Sequence, residues 1–100
     1  MKISFTPQVN DLQLTLSRKS KNILVVNGES YDFKQLPEGG KLPAEAVDNV
    51  FFQGDITRVA GELEFVIRLP IGEAASQEEC FPTPVIVTVN GVIKLPGGAK

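Results

Sequence analysis

Histidine and tryptophan are absent from these 100 residues, and cysteine occurs once, as Cys80. Each absence closes off a chemistry. Without histidine there is no Ser-His-Asp triad and no Cys-His nucleophile pair. Zinc sites built from Cys/His sets have no ligands. A lone cysteine cannot close an intramolecular disulfide, and it commonly packs as a small apolar group. Clustered positive charge is also scarce, since 10 Lys and Arg stand against 12 Asp and Glu, for a net charge of −2. The one basic cluster, Arg18-Lys19-Ser20-Lys21, reads as a solvated turn between strands, so no nucleic acid is expected as a partner. Long apolar runs are missing too. Ile23–Val26 and Val85–Val87 are far too short to cross a bilayer, and Met1–Gln8 lacks the sustained apolar stretch of a secretory signal. No membrane partner is expected, and the chain is expected to stay in the cytoplasm of the cell that makes it.

What is present is a period of two. Leu12, Leu14 and Leu16 alternate with Gln13, Thr15 and Ser17 across Asp11–Ser17, giving one buried and one wet face. Glu62–Leu69 repeats the scheme, with Leu63, Phe65, Ile67 and Leu69 inward and Val66 as an apolar exception. Ile3 and Phe5 alternate likewise. Ile23–Val26 and Val85–Val87 are unbroken aliphatic runs, as expected of strands covered on both faces. A length of 100 residues and 42% hydrophobic content fit a single globular β domain, residues 1–100.

Turn chemistry joins these strands. The triplet Val-Asn-Gly occurs twice, at Val26-Asn27-Gly28 and Val89-Asn90-Gly91. Asn-Gly tolerates the two positive φ angles of a type I′ hairpin turn, so both copies read as hairpin corners. Ala60-Gly61 is expected to do the same between Ile56–Val59 and Glu62–Leu69. Neither Asn-Gly precedes a helical pattern, which a phosphate-binding glycine pair would need. Four Leu-Pro pairs, at Leu36, Leu42, Leu69 and Leu95, read as core anchors followed by strand-ending prolines. Helix has little room: Pro43–Asp48 suits one or two turns, and Ser76–Glu79 matches a capping box that Pro82 would cut short.

Two connections are candidates for function. Lys34–Pro43 centres on Glu38-Gly39-Gly40-Lys41, a flexible charged loop tip without the frame of a phosphate-binding loop. Pro70–Pro84 is longer, and loops of about 15 residues are uncommon in compact domains unless functional or disordered. It carries Glu73, Glu78 and Glu79 with no balancing base. These lack calcium-loop spacing, and adjacent Glu78 and Glu79 would diverge on a strand or a helix. Cys80 and Phe81 read as an apolar plug. No metal and no cofactor is expected.

The segments NGESYDFKQLPEGGKLPAEAVDN, GDITRVAGELEFVIRLPIG and ECFPTPVIVTVNGVIKLP, in that order, resemble small uncharacterised proteins encoded in tail-gene regions of tailed bacteriophages and prophages. The likeness spans most of Met1–Pro96 and lies in an N-G-E-x-x-D-F segment, an L-P-E-G loop, an R-x-x-G-E-L hairpin and an F-P-x-P segment before a final strand. That group carries no established activity and no catalytic residues to transfer. The resemblance implies a protein of the host bacterial cytoplasm or the virion whose partners are phage tail or assembly proteins, or further copies of itself.

The expected fold is a mainly β domain: a small antiparallel sandwich or partly open barrel of about eight or nine hairpin-built strands, with one short helix near Ala44–Asp48. Val92–Leu95 and Ile3–Phe5 are the expected sheet edges, with Lys94 and Lys2 as blunting charges. The expected function is non-enzymatic, structural or tail-assembly work through protein contacts, with Glu73, Glu78, Glu79, Phe81, Val92 and Lys94 as contact residues. A second reading is a host-modulating module that docks the acidic 70–84 loop on a basic protein. A third, a carboxylate or metal enzyme, predicts a thermal shift with divalent ions.

Overall fold

The computed structural model describes residues 1–9, 12–72 and 82–95. The fold is mainly β, with nine strands among the described residues: β1 Lys2–Val9, β2 Leu16–Ser20, β3 Ile23–Val26, β4 Glu29–Asp32, β5 Lys41–Pro43, β6 Asp55–Val59, β7 Glu62–Ile71, β8 Val85–Ile86 and β9 Gly91–Ile93. They form two sheets, one ordered β5-β6-β7-β1-β8 and the other β4-β3-β2-β9, and neither closes into a barrel. The expected helix is a single 3₁₀ turn, Ala44–Ala46, started by the extended Pro43.

Alternation builds the core. Along β7, Leu63, Phe65, Ile67 and Leu69 are buried as expected, and Ile3 and Phe5 of β1 join them on the same face. From the facing sheet come Leu16, Leu24, Val26 and Ile93, in one continuous hydrophobic cluster. Aromatic edges lock the layers together: the Phe33 and Phe65 rings lie 5.2 Å apart and tilted, and Phe52 meets Tyr31 at 5.3 Å.

Several expectations are corrected. Ile23–Val26 is half-buried and buried by turns, and in the other run Ile86 is exposed while Val87 is buried. A two-layer sandwich has no third layer to cover the outer face, so an unbroken aliphatic run still buries only one side. β1 and β7 pair in parallel, from Lys2 with Glu64 to Val9 with Ile71. The strands are therefore not all antiparallel, because no tight turn links these two and nothing forces them to run opposite ways. That pairing also places Ile3–Phe5 inside its sheet, between β7 and β8, and not at an edge. β9 is an edge strand, as expected of this region.

The strand expected over Asp11–Ser17 begins only at Leu16, and Leu12 is exposed. Before it, Asn27 extends the ladder with backbone and side chain together, its amide donating to the Thr15 carbonyl at 2.9 Å. Its Oδ1 accepts from the Thr15 amide at 2.7 Å, and its Nδ2 donates to the Gln13 carbonyl at 2.9 Å. Asn27 and Gly28 hold φ at 50° and 83°, and Ala60 and Gly61 at 53° and 78°, the left-handed pairs of type I′ hairpin turns.

The second Val-Asn-Gly differs. β8 belongs to the sheet of β1, and β9 pairs with β2 in the other sheet. Residues 87–90 cross between layers, and positive φ there falls on Gly91 alone, at 125°. Val87 is held to the first layer by reciprocal bonds with Met1, at 2.7 and 2.9 Å, so the chain cannot fold back as a hairpin.

Pro43 ends β5 as expected, but Pro70 lies inside β7. The Arg68 amide donates to the Phe51 carbonyl, away from β1, and Pro70 shares that orientation two residues on. Its missing N–H therefore falls beyond the end of β6 and costs no ladder bond. Pro96, Cys80 and the Ser76–Glu79 capping box lie outside the described residues.

Candidate interaction surfaces

The sandwich has two lateral sides. β4 and β5 end their sheets on one side, where residues 33–40 connect them, and β8 and β9 end theirs on the other, where residues 87–90 connect them. The first side is blunted. β4 carries Glu29 and Asp32, and β5 carries Lys41 and Pro43, the charges and proline that discourage strand addition. Among the described residues the strands of the second side carry no such guard within them: Val85 to Ile93 contains no charged residue and no proline, with Pro84 just before β8 and exposed Lys94 just after β9. Ile86, Val89 and Val92 are exposed there, Val92 to 89%. Single exposed valines such as Val50 and Val59 occur elsewhere, which is ordinary. Here three fall on one uncharged stretch of chain, Ile86 on the outer face of the first sheet and Val92 on that of the second.

Of the residues expected to make contacts, Val92 lies at the middle of β9, opposite Ser17, and Lys94 is exposed just beyond the strand. Glu73, Glu78, Glu79 and Phe81 lie outside the described residues. The signal for Val92 is its place on a terminal strand, read as a sheet edge. Ile86 was missed because the unbroken run Val85–Val87 reads as buried on both faces, and Val89 because nothing local marks residues 87–90 as a passage between layers.

The Lys34–Pro43 connection is tied down, contrary to the expected flexible tip. Glu38 accepts from the Ala60 and Gly61 amides at 2.7 and 2.6 Å, and the Gly39 amide donates to the Arg58 carbonyl at 2.8 Å. The carboxylate fills the pocket of amides that a left-handed pair presents, a position that could otherwise hold an anion. Arg58 reinforces the same corner by donating to Leu36 O, Phe33 O, Asn22 Oδ1 and Gly61 O at 2.7, 3.0, 2.9 and 3.4 Å. Both residues are structural.

At the end of the sandwich beside β8, an open groove of about 350 Å³ runs between the layers, lined by Arg18, Lys21, Glu62, Leu63, Ile86 and Thr88 among others. The Met1 amino group lies 3.3 Å from Glu62 Oε1 on its wall. The basic cluster that reads as solvated turn is therefore divided: Lys19 and Lys21 are exposed, but Arg18 is half-buried.

Among the described residues, no group of three or more His, Cys, Asp or Glu side chains is arranged to hold a metal ion. Tyr31 alone among the described residues has a displaced pKa: burial pushes its phenol above 10.0, with Glu29 adding to the rise and the Asn49 hydrogen bond opposing it. No described helix is long and apolar enough to cross a membrane. Set against protein-family models, curated proteins and solved structures, the chain matches none of them.

Proposed function

We propose that this chain is a non-enzymatic phage or prophage protein, structural or tail-assembly-related, that works by accepting a strand of a partner protein along its β8/β9 side. The observation that carries the reading is the contrast between its two lateral sides. One is guarded by Glu29, Asp32, Lys41 and Pro43, while the other exposes Ile86, Val89 and Val92 on short uncharged edge strands. Edge backbone supplies hydrogen bonds to an incoming strand, and apolar side chains flanking it supply specificity. The setting rests on the resemblance of the motif order to proteins of phage tail-gene regions. A second copy of the chain is the competing occupant.

A photo-crosslinking residue at Val92, compared with one at Ser30 on β4, tests this in bacteria producing the phage. The expected result is a discrete adduct from position 92 to a phage structural or assembly protein, and none from position 30. Equal labelling at both positions, or no adduct at 92, would overturn the proposal. An adduct to the chain itself would assign the side to self-association.

A further inference from the structure

Arg18 breaks the pattern of its own strand. Leu14 and Leu16 are buried, and Arg18, two residues further along, has the same parity and faces inward where a third apolar side chain is expected. It stands at the open end of the sandwich, on the wall of the groove beside β8. The described arginines differ in what they hold. Arg58 donates to four acceptors and Arg68 to the Val50 carbonyl. Arg18 Nε is shielded from solvent and has no acceptor among the described residues. A charged donor left in that state is costlier than a neutral one, so its retention at an inward position calls for an acceptor. Glu62, on the same wall, turns its Oε1 to the Met1 amino group at 3.3 Å and makes no hydrogen bond to Arg18 Nε. Lys21 adds a second positive charge on the same groove.

We propose that this groove is a carboxylate-binding site, taking a glutamate or aspartate side chain from an acidic segment of a partner protein. A guanidinium fork matches a carboxylate with two parallel hydrogen bonds, and Lys21 reinforces the attraction as a point charge. The exposed flank of Ile86 offers apolar contact to the stem of the incoming side chain. Glu62 on the wall favours a monoanion over a phosphate dianion, since like charge raises the cost of the second negative charge. A volume of about 350 Å³ admits one such side chain and its flanking backbone. The inference rests on the partner-contact reading for the source of the carboxylate, but it is tested on the isolated protein, so the two can fail separately.

The probe is a capped tripeptide with a central glutamate, and the readout is the Arg18 Nε–Hε resonance in a nitrogen–proton correlation spectrum. The expected result is a saturable shift of that resonance, with a dissociation constant on the order of millimolar. The glutamine counterpart should bind at least about tenfold more weakly. R18K keeps the charge and loses the fork; followed through the backbone amides of Leu63 and Thr88 on the same groove, it should bind several-fold more weakly with the remaining spectrum in place. Equal shifts with both peptides, or an Arg18 resonance that neither moves, would overturn the site. Tighter binding of inorganic phosphate than of the glutamate peptide would overturn the carboxylate assignment. A Val92 adduct together with an unmoved Arg18 resonance would remove this inference and leave the edge proposal standing.

Discussion

Ala60 holds φ at 53°, a conformation that costs an L-residue roughly 1 kcal/mol or more. It sits there because the β6–β7 turn needs two left-handed residues and Glu38 bonds to both of their amides. A60G keeps those amides and relieves the strain, so it should stabilise the protein by about 0.5–1 kcal/mol after the added chain entropy of glycine. Urea unfolding should show a higher midpoint at unchanged slope; a lower midpoint would mean that Ala60 is not strained. Tyr31 gives a pH-dependent prediction. Its phenol is raised by burial, so the folded state holds the proton more tightly than the unfolded chain. That contribution is complete below the unfolded value of about 10 and is lost as pH rises through the folded value. The stability gap between wild type and Y31F should therefore be constant near neutrality and shrink above about pH 10; a gap that widens there contradicts the assigned cause. At this scale the Asn27-Gly28 and Ala60-Gly61 turns were legible, because turn type is written in adjacent residues. The Glu38 clamp was not, since it joins groups 22 and 23 positions apart that only the fold brings together.

Between elements, Arg58 is the residue that fastens one layer to the other. From β6 it reaches the carbonyls of Phe33 and Leu36 in the β4–β5 connection and the Asn22 side chain in the β2–β3 turn. R58M retains most of the stem and leaves these acceptors unpaired, which should cost about 2–4 kcal/mol. R58K should recover only part of that loss in the same urea experiment, because an ammonium cannot reproduce the fork. A cost under about 0.5 kcal/mol for R58M would show that water replaces the guanidinium, as it does at exposed pairs. The two Val-Asn-Gly copies show the limit of local reading. Identical triplets make a hairpin corner in one place and a passage between layers in the other. The difference is set by distant partners: Thr15 and Gln13 for the first copy, Met1 and Leu16 for the segment holding the second. Parallel pairing of β1 with β7 was hidden for the same reason, since no turn sequence records it.

For the molecule as a whole, alternation made the mainly β character and most of the β7 core legible, since burying one face of each strand is a local rule with a global result. Which strands end the sheets was less legible. β9 was placed at an edge correctly and Ile3–Phe5 was not, because an interior position depends on a partner about 60 residues away. The account of function depends on that edge geometry: among the described residues, one side of the sandwich is guarded by charge and proline within its edge strands, and the other has short, uncharged, apolar edge strands. Amide hydrogen exchange, in the free protein and in complex with the partner captured at Val92, tests this most directly. The account predicts slowed exchange at Gly91–Ile93 and Val85–Ile86, with Glu29–Asp32 and Lys41–Pro43 unchanged. Protection concentrated on β4 or β5, or none at β9, would contradict it.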